Sequence, residues 1–177
     1  MKYKIIYADP AWSYDDKALN RGGAERHYKT MSEQDIMNLP VNEIADDDCI
    51  LFMWATFPKI KEALNVIEAW GFTYKTNAFT WIKKNKIANS FFWGMGRWTR
   101  SNAEVCLLAV KGNPIRLDMG VHSIIYTPIE VHSKKPSETR DRIVKLMGDI
   151  PRVELFARQK IAGWNSWGNE VNNDLEI

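Results

Sequence analysis

The feature that most constrains the fold of this chain is a series of short, continuous apolar runs that alternate with segments of helical spacing. The first two runs are YKIIYA at Tyr3–Ala8 and CILFMWA at Cys49–Ala55. Strands are also predicted at 74–82, 103–110, 123–126 and 153–157, and helices are predicted at 32–40, 58–70 and 136–147. Continuous rather than alternating apolar runs are typical of strands that are buried on both faces. We therefore predict an α/β domain with a mostly parallel sheet and helices on both of its faces.

The length of 177 residues fits one domain, which we place at residues 1–171, with residues 172–177 as a flexible tail. No apolar run approaches 18 residues and no secretory leader is recognised, so we expect a cytoplasmic protein without a membrane span. Cys49 and Cys106 both lie inside apolar runs and are interpreted as reduced core thiols. No cluster of cysteine and histidine has metal-ligand spacing, so no metal is expected.

Charge is distributed unevenly although the net charge is only +2. No acidic residue occurs between Glu68 and Glu104, a stretch that holds six basic residues and many aromatic ones. One interpretation is a solvated basic loop over an aromatic core. The other is a nucleic-acid surface, because cations bind phosphates and aromatic faces stack on bases.

The turn Asp9-Pro10-Ala11-Trp12 directly follows the first predicted strand. It is either an ordinary exit from a strand or a site for an exocyclic amine such as N6 of adenine. That nitrogen is a poor nucleophile, and two acceptors on its hydrogens would turn its lone pair outward. The Asp9 carboxylate and the Pro10 carbonyl are suitable acceptors, and Trp12 is suited to stack on the base. A methyl sulfonium donor fits this chemistry because it leaves as a neutral thioether.

Several motifs in fixed order carry a resemblance to a known family. They are, in sequence, DPAW at 9–12, HYKTM at 27–31, LFMWAT at 51–56, EVCLL at 104–108 leading to KGNP at 111–114, HSKKP at 132–136, ELFAR at 154–158, and GW at 163–164 leading to WGNE at 167–170. With these motifs the chain resembles the MT-A70 family of S-adenosylmethionine-dependent N6-adenine methyltransferases, whose hallmark is D-P-P-W. The resemblance implies a Rossmann-like methyltransferase domain in permuted order, with the catalytic motif before the cofactor motif.

The same resemblance assigns roles to individual residues. It implies Asp9, Pro10 and Trp12 as catalytic residues and S-adenosylmethionine as cofactor. Lys135 would pair with the cofactor carboxylate, Phe156 and Arg158 would line its site, and Asn169 and Glu170 would hold its ribose hydroxyls. Tyr28 would form the adenine side of the pocket. The alternatives are that Lys135 is a surface lysine and that Arg158 is an ion-pair partner at the rim of the sheet.

The resemblance and its departures also bear on the substrate. Ala11 replaces the second proline of the family motif, which predicts a modest loss of preorganisation rather than of chemistry. The compact length resembles bacterial or phage forms, for which DNA is favoured over RNA. The expected DNA contacts are Lys83, Lys84, Lys86, Arg97 and Arg100. Open alternatives are methylation of RNA adenine or of cytosine N4, and a catalytically weak or inactive member that binds nucleic acid with a partner. Both a homodimer and a heterodimer are compatible with the family.

Overall fold

The part of the protein that the structure describes forms a seven-stranded sheet flanked by four helices. The computed structural model describes residues 1–14, 30–96, 98–130 and 134–177. The elements in chain order are β1 (Tyr3–Ala8), α1 (Glu33–Met37), α2 (Val41–Ile44), β2 (Ala45–Ala55), a 3-10 turn (Phe57–Lys59), α3 (Ile60–Ala69), β3 (Thr73–Lys84), β4 (Glu104–Lys111), β5 (Ile124–Pro128), α4 (Glu138–Met147), β6 (Arg152–Leu155) and β7 (Asn165–Trp167).

The strand order across the sheet is β5-β3-β4-β2-β1-β6-β7. Four neighbouring pairs are parallel, and the two pairs that involve β4 are antiparallel. Six strands therefore point the same way and β4 alone runs against them. The prediction of a mostly parallel sheet is confirmed.

Both faces of this sheet are covered. On one face, Ile36 of α1 and Val66 of α3 pack with Ile6 of β1. On the other face, Ile143 of α4 packs with Ile5 of β1. Adjacent residues of β1 thus enter two different cores, which explains why its sequence is continuously apolar. The predicted placement of helices on both faces is confirmed.

The structure differs from the sequence-based expectation mainly at boundaries. The second strand begins four residues before Cys49, at Ala45, and the short helix α2 follows Pro40, where the sequence predicted only a stop. The positive φ angles of Gly71 and Gly148 end α3 and α4 as expected. The three-residue strand β7 was not predicted.

The C-terminal residues 172–177 make specific contacts with β7. The Ser166 amide donates to Asp174 Oδ2 at 2.8 Å, and the Asp174 amide donates to the Ser166 carbonyl at 2.9 Å. Leu175 and Ile177 pack against the core. The expected flexibility of this tail stays a prediction.

The direction of the strands determines which residues share an edge of the sheet. The carboxyl ends of β1, β2, β6 and β7 lie at one edge because these strands are parallel. Since β4 is antiparallel to β2, its first residue, Glu104, lies at that same edge. Ligands of open α/β sheets bind at the carboxyl ends of parallel strands, so this edge is where a site is expected.

Two further findings concern the class of protein. Cys49 and Cys106 are buried and unbonded, as their apolar surroundings predicted. Among the described residues, no helix is long and apolar enough to cross a membrane, and no group of three metal-ligating side chains occurs.

Candidate active site

The turn after β1 is held by backbone hydrogen bonds. The Asp9 amide lies 3.5 Å from the Leu155 carbonyl of β6. The Trp12 amide donates to the Pro10 carbonyl at 2.9 Å, and the Met31 amide donates to the Ala11 carbonyl at 2.9 Å. These bonds fix the backbone around Asp9. The Pro10 carbonyl retains a second lone pair for another donor.

Trp12 is a wall of the site and also part of the core. Its side chain is 5% exposed, and its indole N–H donates to the Trp54 carbonyl at 3.2 Å. A buried, hydrogen-bonded indole has a fixed orientation. The predicted stacking of a base on Trp12 therefore depends on the part of the ring that borders the cleft.

Two adjoining clefts meet at this turn. The first, the Asp9 cleft, is lined by Asp9, Pro10, Trp12, Thr56, Glu104 and Lys135, among others. The second, the Asn169 cleft, is lined by Met31, Phe156, Trp167, Gly168, Asn169 and Glu170, among others. Asp9, Ala11 and Arg158 border both. Asp9 thus lies at the junction of the two clefts.

The clefts differ in size. The Asn169 cleft has a volume of about 230 Å³, whereas the Asp9 cleft has a volume of only about 50 Å³. A nucleobase in the Asp9 cleft therefore requires side chains at its entrance to move. The flanking segments 15–29 and 131–133 lie outside the described residues.

Ion pairs fill the Asp9 cleft. The Lys135 ammonium lies 2.8 Å from Asp9 Oδ1, 2.9 Å from Asp9 Oδ2 and 3.2 Å from Glu104 Oε2. The other oxygen of Glu104, Oε1, accepts from the ammonium of Lys83. Two carboxylates and two lysines therefore alternate in a chain: Lys83, Glu104, Lys135, Asp9.

Burial and these ion pairs shift the pKa values of Asp9, Glu104 and Lys135, and not all in the same direction. Burial raises the pKa of Asp9, although Lys135 lowers it in part. Burial alone would also raise the pKa of Glu104, but Lys135 and Lys83 outweigh burial and lower that pKa to about 2. For Lys135, burial would lower the pKa, but Asp9 and Glu104 raise it. Lys135 and Glu104 are therefore charged at neutral pH.

The Asn169 cleft contains an unusual backbone conformation. Phe156, the first residue after β6, has a φ of 61°, and it is the one described non-glycine residue with a positive φ. Its ring packs edge-on against Trp167 with ring centroids 5.5 Å apart. Strained backbone of this kind persists where the surrounding structure enforces it, often beside a ligand site.

The end of β7 depends on a glycine. A Cβ atom on Gly168 would lie 2.3 Å from the Ala157 carbonyl oxygen and 2.7 Å from the Ala157 nitrogen. Gly168 therefore lets β7 approach the end of β6, and this approach places Asn169 and Glu170 on the wall of the cleft. Arg158 Nε lies 3.8 Å from Glu170 Oε1 across the opening.

Most of the predicted site residues come together at these clefts. Asp9, Pro10, Trp12 and Lys135 line the Asp9 cleft, and Phe156, Arg158, Asn169 and Glu170 line the Asn169 cleft. Lys135 was expected beside the cofactor, but its ammonium pairs with Asp9 and Glu104 in this structure. Tyr28 and Arg97 lie outside the described residues. Their predicted roles stay predictions.

Glu104 was not among the predicted site residues. The sequence signal for it was its position as the last residue before an apolar run and the first acid after a long acid-free stretch. Its place in the site follows from the antiparallel direction of β4, which the sequence pattern did not predict.

The predicted DNA-contacting residues lie in or next to the β3–β4 loop (residues 85–103). Asn102 anchors this loop, because it accepts from the Lys83 amide and donates to the Lys83 carbonyl, both at 2.9 Å. On its surface the Phe91 ring lies 6.0 Å from Trp93 and 5.9 Å from Tyr126. The Lys84 ammonium lies 4.8 Å from the centre of the Tyr126 ring. Lys86 and Arg100 are also on this surface, and Trp98 is 95% exposed.

A nearly parallel, doubly covered sheet with two clefts at the carboxyl ends of its strands defines a Rossmann-like domain. The family model of MT-A70 matches residues 3–170. The type II methyltransferase M.MunI of Mycoplasma sp. is 36% identical, and the match covers 99% of this chain and 81% of that protein. The N(6)-adenosine-methyltransferase MT-A70-like protein of Drosophila melanogaster is 27% identical, with 97% of this chain and 27% of that protein covered. The human N(6)-adenosine-methyltransferase catalytic subunit METTL3 is 27% identical, with 97% and 28% covered.

The fold and these matches define the class of the protein as a Rossmann-like methyltransferase. The chain belongs to the MT-A70 family. It matches most of the length of the Mycoplasma relative but about a quarter of the length of the Drosophila and human ones. The methyl donor of this family is S-adenosylmethionine. Membership of the family therefore confirms the prediction of this cofactor.

The residues of the Asn169 cleft fit such a cofactor by the chemistry of their donors and acceptors. The Glu170 carboxylate can accept from two ribose hydroxyls, and the Asn169 amide can both donate and accept. Phe156 and Trp167 supply aromatic surface in the same cleft, and Arg158 supplies a positive charge. A nucleoside with a charged tail requires this combination of groups.

Proposed function

We propose that this protein transfers a methyl group from S-adenosylmethionine to N6 of adenine in DNA. The observation that carries the proposal is that Asp9 borders both clefts, so this residue lies between the proposed sites of the methyl donor and the methyl acceptor. The 36% identity to a type II methyltransferase over most of both chains supports DNA as the substrate. A cytoplasmic location is consistent with a DNA substrate and is proposed with it.

The residues of the Asp9 turn act on the amino group. When bound, the cofactor supplies a methyl group activated by a sulfonium. The Asp9 carboxylate and the Pro10 carbonyl accept the two hydrogens of the amine and direct its lone pair toward the Asn169 cleft. The new bond from nitrogen to the methyl carbon would form as the bond from sulfur to that carbon breaks, and the sulfur would leave as a neutral thioether. The Asp9 carboxylate stabilises the positive charge on the nitrogen until one N–H proton passes to solvent water.

The pairing of Asp9 with Lys135 sets a condition for this step. Lys135 contacts both oxygens of Asp9, so the amine either uses a remaining lone pair of one oxygen or displaces the ammonium from it. The small volume of the Asp9 cleft favours displacement, because Lys135 lines the space that a base would enter. Withdrawal of Lys135 toward the carboxylate of a bound cofactor would both open the cleft and give Lys135 the role that the family resemblance implies.

The surface of the β3–β4 loop is the proposed DNA contact. Lys84 lies against Tyr126 in the aromatic cluster of Phe91, Trp93 and Tyr126, and the exposed residues Lys86 and Arg100 of the loop add positive charge. Cations bind the phosphates, and exposed rings stack on bases that leave the duplex. The triple change Lys84→Gln, Lys86→Gln and Arg100→Gln is expected to weaken DNA binding and to flatten its dependence on salt. An unchanged affinity and salt slope would exclude this surface.

The substrate is tested by methyl incorporation into matched DNA and RNA oligonucleotides, with the products resolved by nucleoside analysis. The proposal predicts N6-methyladenine in DNA. N6-methyladenine found in RNA alone would contradict the proposal and support the RNA alternative. N4-methylcytosine would contradict it and support the cytosine alternative. Whether the active form is a homodimer, or a heterodimer with another subunit, is tested by sedimentation of the active protein.

A further inference from the structure

Lys83 does not share the surroundings of the other basic residues near the β3–β4 loop. Its ammonium donates to Glu104 Oε1 and lies 5.0 Å from the centre of the Trp81 ring, whereas that of Lys84 lies against the surface ring of Tyr126. Side chains of consecutive residues in a strand point to opposite faces, which explains the difference. Lys83 therefore points into the site and Lys84 out of it.

Glu104 is the centre of the ion-pair chain. Each of its oxygens contacts a different lysine, Lys83 at Oε1 and Lys135 at Oε2. The side chains are largely shielded from water, since the exposed fractions are 16% for Lys83, 16% for Glu104, 10% for Lys135 and 21% for Asp9. At such sites the attraction between charges is much stronger than on a surface, and removing one partner leaves the other without compensation.

The ion-pair chain gives the Lys135 ammonium a second carboxylate partner besides Asp9. An ammonium has three N–H donors, and Lys135 has three carboxylate oxygens within 3.2 Å. If an amine displaces Lys135 from one oxygen of Asp9, the contact with Glu104 still keeps the ammonium in the site. The negative charge of Glu104, left alone, would oppose the ionised form of Asp9, and Lys83 balances that charge.

We propose that Glu104 and Lys83 are positioning residues for the reaction: Glu104 holds the Lys135 ammonium beside Asp9, and Lys83 neutralises Glu104. In this proposal both residues act through Lys135 and Asp9 rather than on the reacting atoms, and the role of Lys83 is then inside the site rather than on the DNA phosphates. The inference rests on the proposed function, because it assigns these residues to the step in which Asp9 receives the amine. It adds Lys83 of β3 and Glu104 of β4, which Lys135 connects to Asp9, to the residues that serve the reaction.

The test compares single lysine variants of β3 on the folded, full-length protein. Lys83→Met is expected to lower kcat roughly 10- to 100-fold, the size of effect that a small misplacement of reacting groups produces. Its DNA affinity and the salt slope of binding are expected to stay those of the parent. Lys84→Met, in contrast, is expected to lower the DNA affinity and to reduce the salt slope of binding. Lys75→Met, an exposed position on the same strand, is the control without effect on either quantity.

Two further variants separate positioning from simple loss of stability. Lys83→Arg keeps the positive charge and is expected to restore most of kcat. The double variant Lys83→Met with Glu104→Gln lacks both charges of that pair. Its kcat, as a fraction of the parent value, is expected to exceed the product of the corresponding fractions for the two single variants. Thermal unfolding of each variant, followed by circular dichroism, identifies those that merely fail to fold. If Lys83→Met fails to fold, kcat is compared between the parent, Lys83→Arg and the double variant instead.

The outcomes distinguish this inference from the proposed function. If the parent methylates no nucleic acid, the proposed function fails. If the parent is active and Lys83→Met lowers the salt slope with kcat unchanged, Lys83 is a phosphate contact and the inference is wrong. Equal losses in Lys83→Met and Lys83→Arg, or independent effects in the double variant, would also overturn it.

Discussion

The Lys135 ammonium lies 2.8 Å from Oδ1 and 2.9 Å from Oδ2 of Asp9, so one cation contacts both oxygens of the candidate catalytic carboxylate. The two residues are 126 positions apart in the sequence and meet because β1 ends at the edge of the sheet where the segment before α4 passes. This contact has consequences for the pH dependence of the reaction and for the binding of cofactor.

The first prediction concerns pH. Asp9 must be ionised to accept from the amine, and burial raises its pKa above 3.8, the value of a free aspartate, despite Lys135. Activity is therefore expected to fall with decreasing pH at a point above the pKa of a free carboxyl. Removing the positive charge in Lys135→Met favours the protonated form of Asp9, so the acidic limb of the kcat profile should move to higher pH. A limb that stays in place or moves to lower pH would contradict the assignment.

The second prediction concerns cofactor affinity. If Lys135 pairs with the carboxylate of the cofactor, Lys135→Ala is expected to weaken binding of S-adenosylhomocysteine about tenfold or more, the range for a lost charge-assisted hydrogen bond. The neighbour Lys134 pairs with Glu130 on the surface, and Lys134→Ala is the matched control. Titration calorimetry measures both. Equal affinities in the two variants would remove Lys135 from the cofactor site.

The third prediction concerns the wall of the Asn169 cleft. In Gly168→Ala the new methyl group would meet the Ala157 backbone at 2.3 Å, so β7 must shift. We expect a loss of about 1–3 kcal/mol in the free energy of unfolding, together with weaker cofactor binding. At Gly120 a methyl group would meet only the Asp118 side chain, at 3.2 Å, and Gly120→Ala is the control. Chemical denaturation measures the change, and equal stability of the two variants would contradict the prediction.

The fourth prediction concerns Ala11, which stands where the family motif has its second proline. Its carbonyl accepts from Met31, a bond that proline preserves. Ala11→Pro is therefore expected to stabilise the fold by about 0.4–1 kcal/mol and to raise kcat modestly, because it restricts the unfolded chain and the residue before it. Steady-state kinetics check this. A variant with no gain, or with a loss, of activity would count against the preorganisation argument.

The apolar pattern was sufficient to predict β1, β2, β4 and β6, because burial on two faces leaves a continuous apolar sequence. β1 has the predicted bounds, Tyr3–Ala8. β7 left no such signal: it has three residues, of which only Ser166 is fully buried, and its backbone pairing with β6 holds it in place. An element that is stabilised by the end of a neighbouring strand cannot be recognised from its own composition.

Site residues that belong to a recognised motif were predicted from the sequence. Site residues whose position depends on the direction of a strand or on the face of the sheet were missed or misinterpreted. Asp9, Asn169 and Glu170 were identified through the resemblance of their motifs and lie around the two clefts. Lys83 and Lys84 received the same interpretation as DNA contacts, because their order in the sequence does not indicate which lysine faces the site. Glu104 required knowledge that β4 is antiparallel, since a parallel strand would place its first residue at the opposite edge.

The most direct test of the account is the methylation of a DNA duplex by the parent protein and by Asp9→Asn, measured at saturating cofactor. Asp47→Asn, at an exposed carboxylate of β2, is the matched control. We predict N6-methyladenine from the parent and from the control, and a loss of roughly 10²–10⁴-fold in kcat for Asp9→Asn with cofactor binding retained. A rate for Asp9→Asn within a few-fold of the parent would contradict the central claim that the Asp9 carboxylate prepares the amine for methyl transfer.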